Sequence, residues 1–157
     1  MRRSVAILAT MSAVGSVSAF GFVTALLAPE APGTKALGTN GSSIVGEFTE
    51  NTGTQGFIDT GGNVVVLDVP DSFGTEVLGI NSAGEIVGSF IDPTGMHGFV
   101  DAGGNLTPLN APSATGGTQA LSVNSMGQIA GTFVDGAGHT HGFVDSGGSS
   151  RRRYRAS

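Results

Sequence analysis

The chain has no cysteine and no tryptophan, and only one tyrosine among its 157 residues. Disulfide frameworks, thiolate zinc sites and cysteine nucleophiles are therefore excluded. Charge is scarce as well, at 12% of residues, about half the usual ~25%. Positive charge is the scarcest. Between Ala36 and Ser150 there is no Lys or Arg, against eleven acids: Glu47, Glu50, Asp59, Asp68, Asp71, Glu76, Glu85, Asp92, Asp101, Asp135 and Asp145. A body without cations cannot neutralise phosphates, so it binds no nucleic acid, and it has nothing to attract anionic lipid. The sparse acids read as solubilising charge; weak divalent-cation binding is the sharper alternative.

Glycine is abundant instead, 27 of 157, far above the roughly 7% average. It follows no strict every-third period, which excludes collagen. A hydrophobic content of 39% with nine Phe argues against plain disorder.

The N-terminus reads as an export signal over residues 1–19. Met1-Arg2-Arg3 is a positive n-region, residues 4–17 are an apolar h-region, and Val17-Ser18-Ala19 suits cleavage after Ala19. This predicts an N-terminal signal helix and a secreted, extracellular protein. An uncleaved anchor over residues 4–28 competes, because that stretch is uncharged and long enough to span a bilayer. Cleavage is preferred, since Gly15, Ser16 and Ser18 dilute the segment.

The body is an internal repeat. LGINSAGEIVGSF (78–90) recurs as LSVNSMGQIAGTF (121–133), and a degraded copy, LGTNGSSIVGEF, precedes both at 37–48. QGFIDTGGN, HGFVDAGGN and HGFVDSGGS recur in step, and Phe48, Phe90 and Phe133 are 42 and 43 residues apart. The units fall at 34–73, 74–117 and 118–149, the third incomplete, between a strand or linker at 20–33 and a basic tail at 150–157. In the second unit, turn chemistry predicts strands at about 75–80, 85–91, 96–101 and 105–110. They are separated by Asn81-Ser82-Ala83-Gly84, Asp92-Pro93-Thr94-Gly95 and Asp101-Ala102-Gly103-Gly104. The expectation is an all-β chain of tandem four-stranded antiparallel meanders. A unit of that size matches one blade of a β-propeller, giving a partial propeller-like array in which each copy covers the next. A β-solenoid or β-prism-like stack is the runner-up. The recurring Phe (48, 57, 90, 99, 133 and 143) are read as core. The mid-strand Gly46, Gly88 and Gly131 are read as places where a neighbouring sheet packs closely.

The pattern N-S-x-G-[EQ]-I-x-G-x-F, then D-x-x-G-x-x-H-G-F-V-D, then L-x-x-P resembles the bacterial extracellular HAF-type repeat family, named for a His-Ala-Phe motif. His97-Gly98-Phe99 and His141-Gly142-Phe143 stand at that motif here, while the first copy has Gln55-Gly56-Phe57. The resemblance covers about residues 33–148. It implies an exported protein of propeller-like repeats, usually in greater number, and carries over no catalytic residue.

The third copy lacks its fourth strand in sequence, and SSRRRYRAS stands where it should follow. Residues 22–34 (FVTALLAPEAPGT) look like a fourth strand and its exit, matching LTPLNAPSATGGT. They are expected to pair with the incomplete unit and cover its edge; the competing reading extends the export signal through residue 28. Three units are fewer than the four to eight of closed rings, so a fragment, exposed faces or self-association are all open. The tail RRRYRAS reads as a shifted or truncated frame, as a basic tail pairing with the acidic body, or as a functional basic patch.

Chemistry is sparse. His139 and His141 lie two apart, on one side of a strand, with Asp135 across the turn, and they are the weak candidates for a metal site. The plainer reading is a repeat-position His plus one more in a longer turn. Asp59, Asp101 and Asp145 each precede x-Gly-Gly and read as turn aspartates bonding their own backbone. No catalytic residue and no cofactor is assigned. Two function classes remain: a non-catalytic binding or structural scaffold taking a glycan or protein at a loop face, and a fragment of a propeller enzyme acting on extracellular glycans.

Overall fold

The computed structural model describes residues 33–146 and the backbone of 154–156. The signal peptide, the anchor alternative over 4–28 and all but the last two residues of the fourth-strand match at 22–34 lie outside the described residues.

Three antiparallel sheets follow one another along the chain. Module 1 comprises β1 (Lys35–Thr39), β2 (Ser43–Glu50), β3 (Gly53–Thr60) and β4 (Asn63–Leu67) in meander order. Module 2 repeats this with β5 (Gly74–Ile80), β6 (Ile86–Asp92), β7 (Gly95–Ala102) and β8 (Asn105–Leu109). Module 3 has β9 (Gly117–Val123), β10 (Ile129–Val134) and β11 (Thr140–Asp145), with a three-residue strand, β12 (Tyr154–Ala156), along the outer edge of β11. The all-β meander expectation holds, and the described residues form no closed ring. The turns are the ones their residues demand. Gly103 and Gly104 both take positive φ (64° and 85°), as a two-residue type I′ hairpin requires, and Gly61 and Gly62 do the same.

The backbone of Tyr154–Ala156 pairs along the edge of β11, Val144 opposite Arg155. One sequence expectation is corrected. The mid-strand glycines do not face a neighbouring sheet. A Cβ on Gly88 would strike the carbonyl oxygen of Glu76, on the adjacent strand of its own sheet, and the ring of Phe99. Gly46 meets the Lys35 carbonyl and Phe57 in the same way, and Gly131 meets the Gln119 carbonyl and Phe143. The cause is a β-bulge in each inner strand pair, where the register shifts between Ala36 and Gly38, between Val77 and Gly79, and between Ala130 and Gly131. The extra residue pushes a carbonyl towards the paired glycine, and a Phe from the third strand lies over the bare backbone.

The core lies between modules as much as within them. Val45 of module 1 packs with Val77, Phe90 and Phe99 of module 2, and Val87 and Leu109 of module 2 pack with Ala120, Ile129, Phe133 and Phe143 of module 3. Each fully buried Phe or Val contributes roughly 1.5–3 kcal/mol. One sheet has two faces and cannot shield both, so stacking is what allows these modules to be this thin.

The innermost strands carry the stack. β1 packs on β5, and β5 on β9. A Cβ on Gly38 would lie 3.2 Å from the Cα of Gly79, and one on Gly79 would lie 3.2 Å from the Cα of Ser122. Gly38, Gly79 and Ser122 are equivalent positions, so each inner strand touches the next through the same residue. Here glycine does serve close approach between sheets.

Candidate functional site

Three asparagines, Asn40, Asn81 and Asn124, close the first turn of each module and form a ladder across the stack. Within its own turn each Oδ1 accepts backbone N–H groups: Ser43 at 2.9 Å for Asn40, Ala83 and Glu85 at 2.9 Å for Asn81, and Gln128 at 2.9 Å for Asn124. Each Nδ2 then reaches forward. Asn40 donates to the Asn81 carbonyl at 3.0 Å, and Asn81 donates to the Asn124 carbonyl at 2.9 Å. Asn81 also donates to the Glu85 carboxylate, and Asn124, in the last of the described modules, donates to Gln128 Oε1 at 2.8 Å. The recurrence of Asn in the N-S-x-G turn was the signal for this ladder, which turn chemistry alone did not reveal.

Asn81 is buried whereas Asn124 is exposed. Asn81→Ala is expected to cost about 2 kcal/mol in urea unfolding, because buried N–H groups and a carbonyl lose their partner, and Asn124→Ala is expected to cost less than half of that.

The histidines belong to a second recurring device. In module 2, Asp92 Oδ1 accepts the Thr94 N–H at 2.7 Å and faces His97 Nε2 at 3.2 Å, while His97 Nδ1 meets Asn110 Oδ1 at 2.9 Å. In module 3, Asp135 Oδ1 accepts the N–H groups of Ala137 and His139 at 2.8 and 2.9 Å, and its Oδ2 meets His141 Nε2 at 2.8 Å. Each ring lies on the module's Phe: His97 on Phe90 with centroids 5.2 Å apart, and His141 on Phe133 at 5.1 Å. The Asp thus caps the hairpin while the His ties that hairpin to the core aromatic.

The three metal candidates are brought together around one carboxylate oxygen. Asp135 Oδ2 lies 2.8 Å from His141 Nε2 and 3.6 Å from Nδ1 of the exposed His139. Among the described residues no group of three or more His, Asp or Glu side chains is set out to hold a metal ion. The arrangement serves the turn.

These hydrogen bonds lower both carboxyl pKa values. Asp92 is lowered chiefly by Thr94, and Asp135 is lowered to about 2, first by His141 and then by the His139 N–H. A folded-state pKa below the ordinary 3.8 means the fold favours the ionised form. That stability is complete above the ordinary value and is lost as pH falls from there towards about 2. A thermal midpoint measured on acidification through this window should fall, and should fall less steeply in Asp135→Asn.

The turn aspartates do not behave alike. Asp59 Oδ1 accepts the Gly62 N–H at 2.8 Å as expected. Asp101 Oδ1 is buried with no hydrogen-bond partner, and Asp145 is buried at the end of β11. Lys35 forms an ion pair with the buried Glu47, which raises the lysine pKa, and Glu76 of module 2 adds to the rise.

A cavity of about 300 Å³ opens beside Ser122, Asn124, Gln128, Ala130 and Val144 on the outer face of module 3. No protein-family model, no curated protein and no solved structure matches this chain.

Proposed function

We propose that this chain is an exported, non-catalytic scaffold of HAF-type repeats, a propeller-like run of three blades that presents its loop ends to a glycan or a protein outside the cell. The observation that carries the reading is the Asn40–Asn81–Asn124 ladder. The recurring turn asparagines hold modules to one another. The Asp–His pairs likewise hold hairpins to core phenylalanines. Repeated turns then stand side by side, and weak single contacts add through avidity. No cofactor enters this reading, and a membrane enters only through an uncleaved signal segment.

The test uses protein recovered from the growth medium and a panel of polysaccharides, scored for retention and for turnover. Saturable retention without new reducing ends or unsaturated products supports the scaffold. Turnover that persists in purified material replaces it with a glycan-cleaving enzyme. N-terminal sequencing of the same material should begin at Phe20.

A further inference from the structure

The two ends of the stack carry opposite halves of one interface, and no described residue covers either half. On the forward face of module 1, a Cβ on Gly56 would strike Val77 of module 2; on that of module 2, a Cβ on Gly98 would lie 3.4 Å from the backbone nitrogen of Ala120 of module 3. The equivalent glycine of module 3, Gly142, has nothing within 4 Å among the described residues. Around it the pattern repeats. Val45 and Val87 are fully buried by the next module, whereas their equivalent, Ala130, is exposed. Ile58 and Val100 are partly covered, whereas Val144 is 43% exposed. Ser122, which takes the position of Gly38 and Gly79, is exposed beside the cavity.

At the other end, Ala36 occupies the position of Val77 and Ala120. Those two are fully buried by the preceding module, and Ala36 is exposed. Its neighbour Leu37 is 42% exposed.

We propose that a second copy of this chain docks head to tail, its β1 lying on the forward face of module 3 with Ala36 over Gly142 and its Asn40 carbonyl accepting from Asn124. The argument is continuity: the contact is the one already made between modules 1 and 2 and between modules 2 and 3. The charges are compatible, because Lys35 of the second copy would stand by Gln119, the neutral equivalent of Glu76. The interface is heterologous, so it closes into a ring or runs on as an array. Two copies bring six modules, inside the range of about four to eight blades of closed propellers. The proposal holds whether or not the protein binds glycans.

The test is the mass of the signal-processed chain in solution, by light scattering or sedimentation equilibrium through the micromolar range. The wild type should weigh a multiple of one chain. Gly142→Val adds a side chain where no described residue lies within 4 Å, so its thermal midpoint in dilute solution should match that of the wild type while its mass falls to one chain. Val144→Asp, at an exposed position, should do the same. A wild type that stays monomeric throughout overturns the proposal, including the case where the face is protected from hydrogen exchange by residues 1–32 of its own chain. So does a multimer that neither variant dissociates.

Discussion

Gly88→Ala is expected to destabilise the protein by about 3 kcal/mol, the upper end for forcing atoms into a packed interior. The added methyl would enter the Glu76 carbonyl on one side and the Phe99 ring on the other. Neither can withdraw: the carbonyl is fixed by the bulge between Val77 and Gly79, and the ring is fully buried between two modules. Gly142→Ala is the internal control. It lies in a strand of the same repeat with nothing within 4 Å among the described residues of its own chain, so its effect on the single chain in dilute solution should stay within about 0.5 kcal/mol. Chemical denaturation of both variants checks the pair. Equal effects would mean that strand propensity, not the bulge, governs these glycines.

Phe99→Ala should cost about 4 kcal/mol, in the range of a buried aromatic truncation. Phe99 has no exposed surface, covers the bare backbone of Gly88, tilts against Phe90 with centroids 6.5 Å apart, and packs in the cluster that contains Val45 of module 1. Its loss opens a cavity inside module 2 and removes the surface on which module 1 rests. Phe73 offers the contrast. It is the same residue type, 65% exposed, in the connection between modules 1 and 2, and its replacement by Ala should shift stability by no more than about 0.5 kcal/mol. Against a typical total of about 5–15 kcal/mol, either core substitution removes a large share.

Much of this architecture can be read from the residues. The repeat is visible because one set of turn residues recurs at a nearly constant spacing. The hairpins followed, since Asn-x-x-Gly and Gly-Gly state their own backbone geometry, and Gly84 and Gly127 indeed take positive φ of 82° and 74°. The core phenylalanines are legible because they recur at the same places in every copy. What escaped involves register and non-local pairing. A bulge leaves no mark in composition, so the residues alone point Gly46, Gly88 and Gly131 at a neighbouring sheet rather than at the adjacent strand of their own. The Asn ladder links residues 41 and 43 apart, and the turn role of Asn already accounted for its presence. The short pairing of Tyr154–Ala156 with β11 lies in a segment whose arginines look nothing like a strand, whereas residues 22–28 look far more like one. Histidine was legible as a repeat position, but its link to the hairpin aspartate and to Phe appears only once the strands are paired.

The central claim is that the sheets are stable because each covers the next. Amide hydrogen exchange of the full chain, wild type against Phe99→Ala, tests it most directly. In the wild type, protection should be greatest in β6 and β7, whose module is covered on both faces. In the variant, exchange should quicken in β2 of module 1 and β10 of module 3 as well as in module 2. A variant in which only residues 74–109 exchange faster, with the other two modules protected as before, would show three independent sheets and contradict the account.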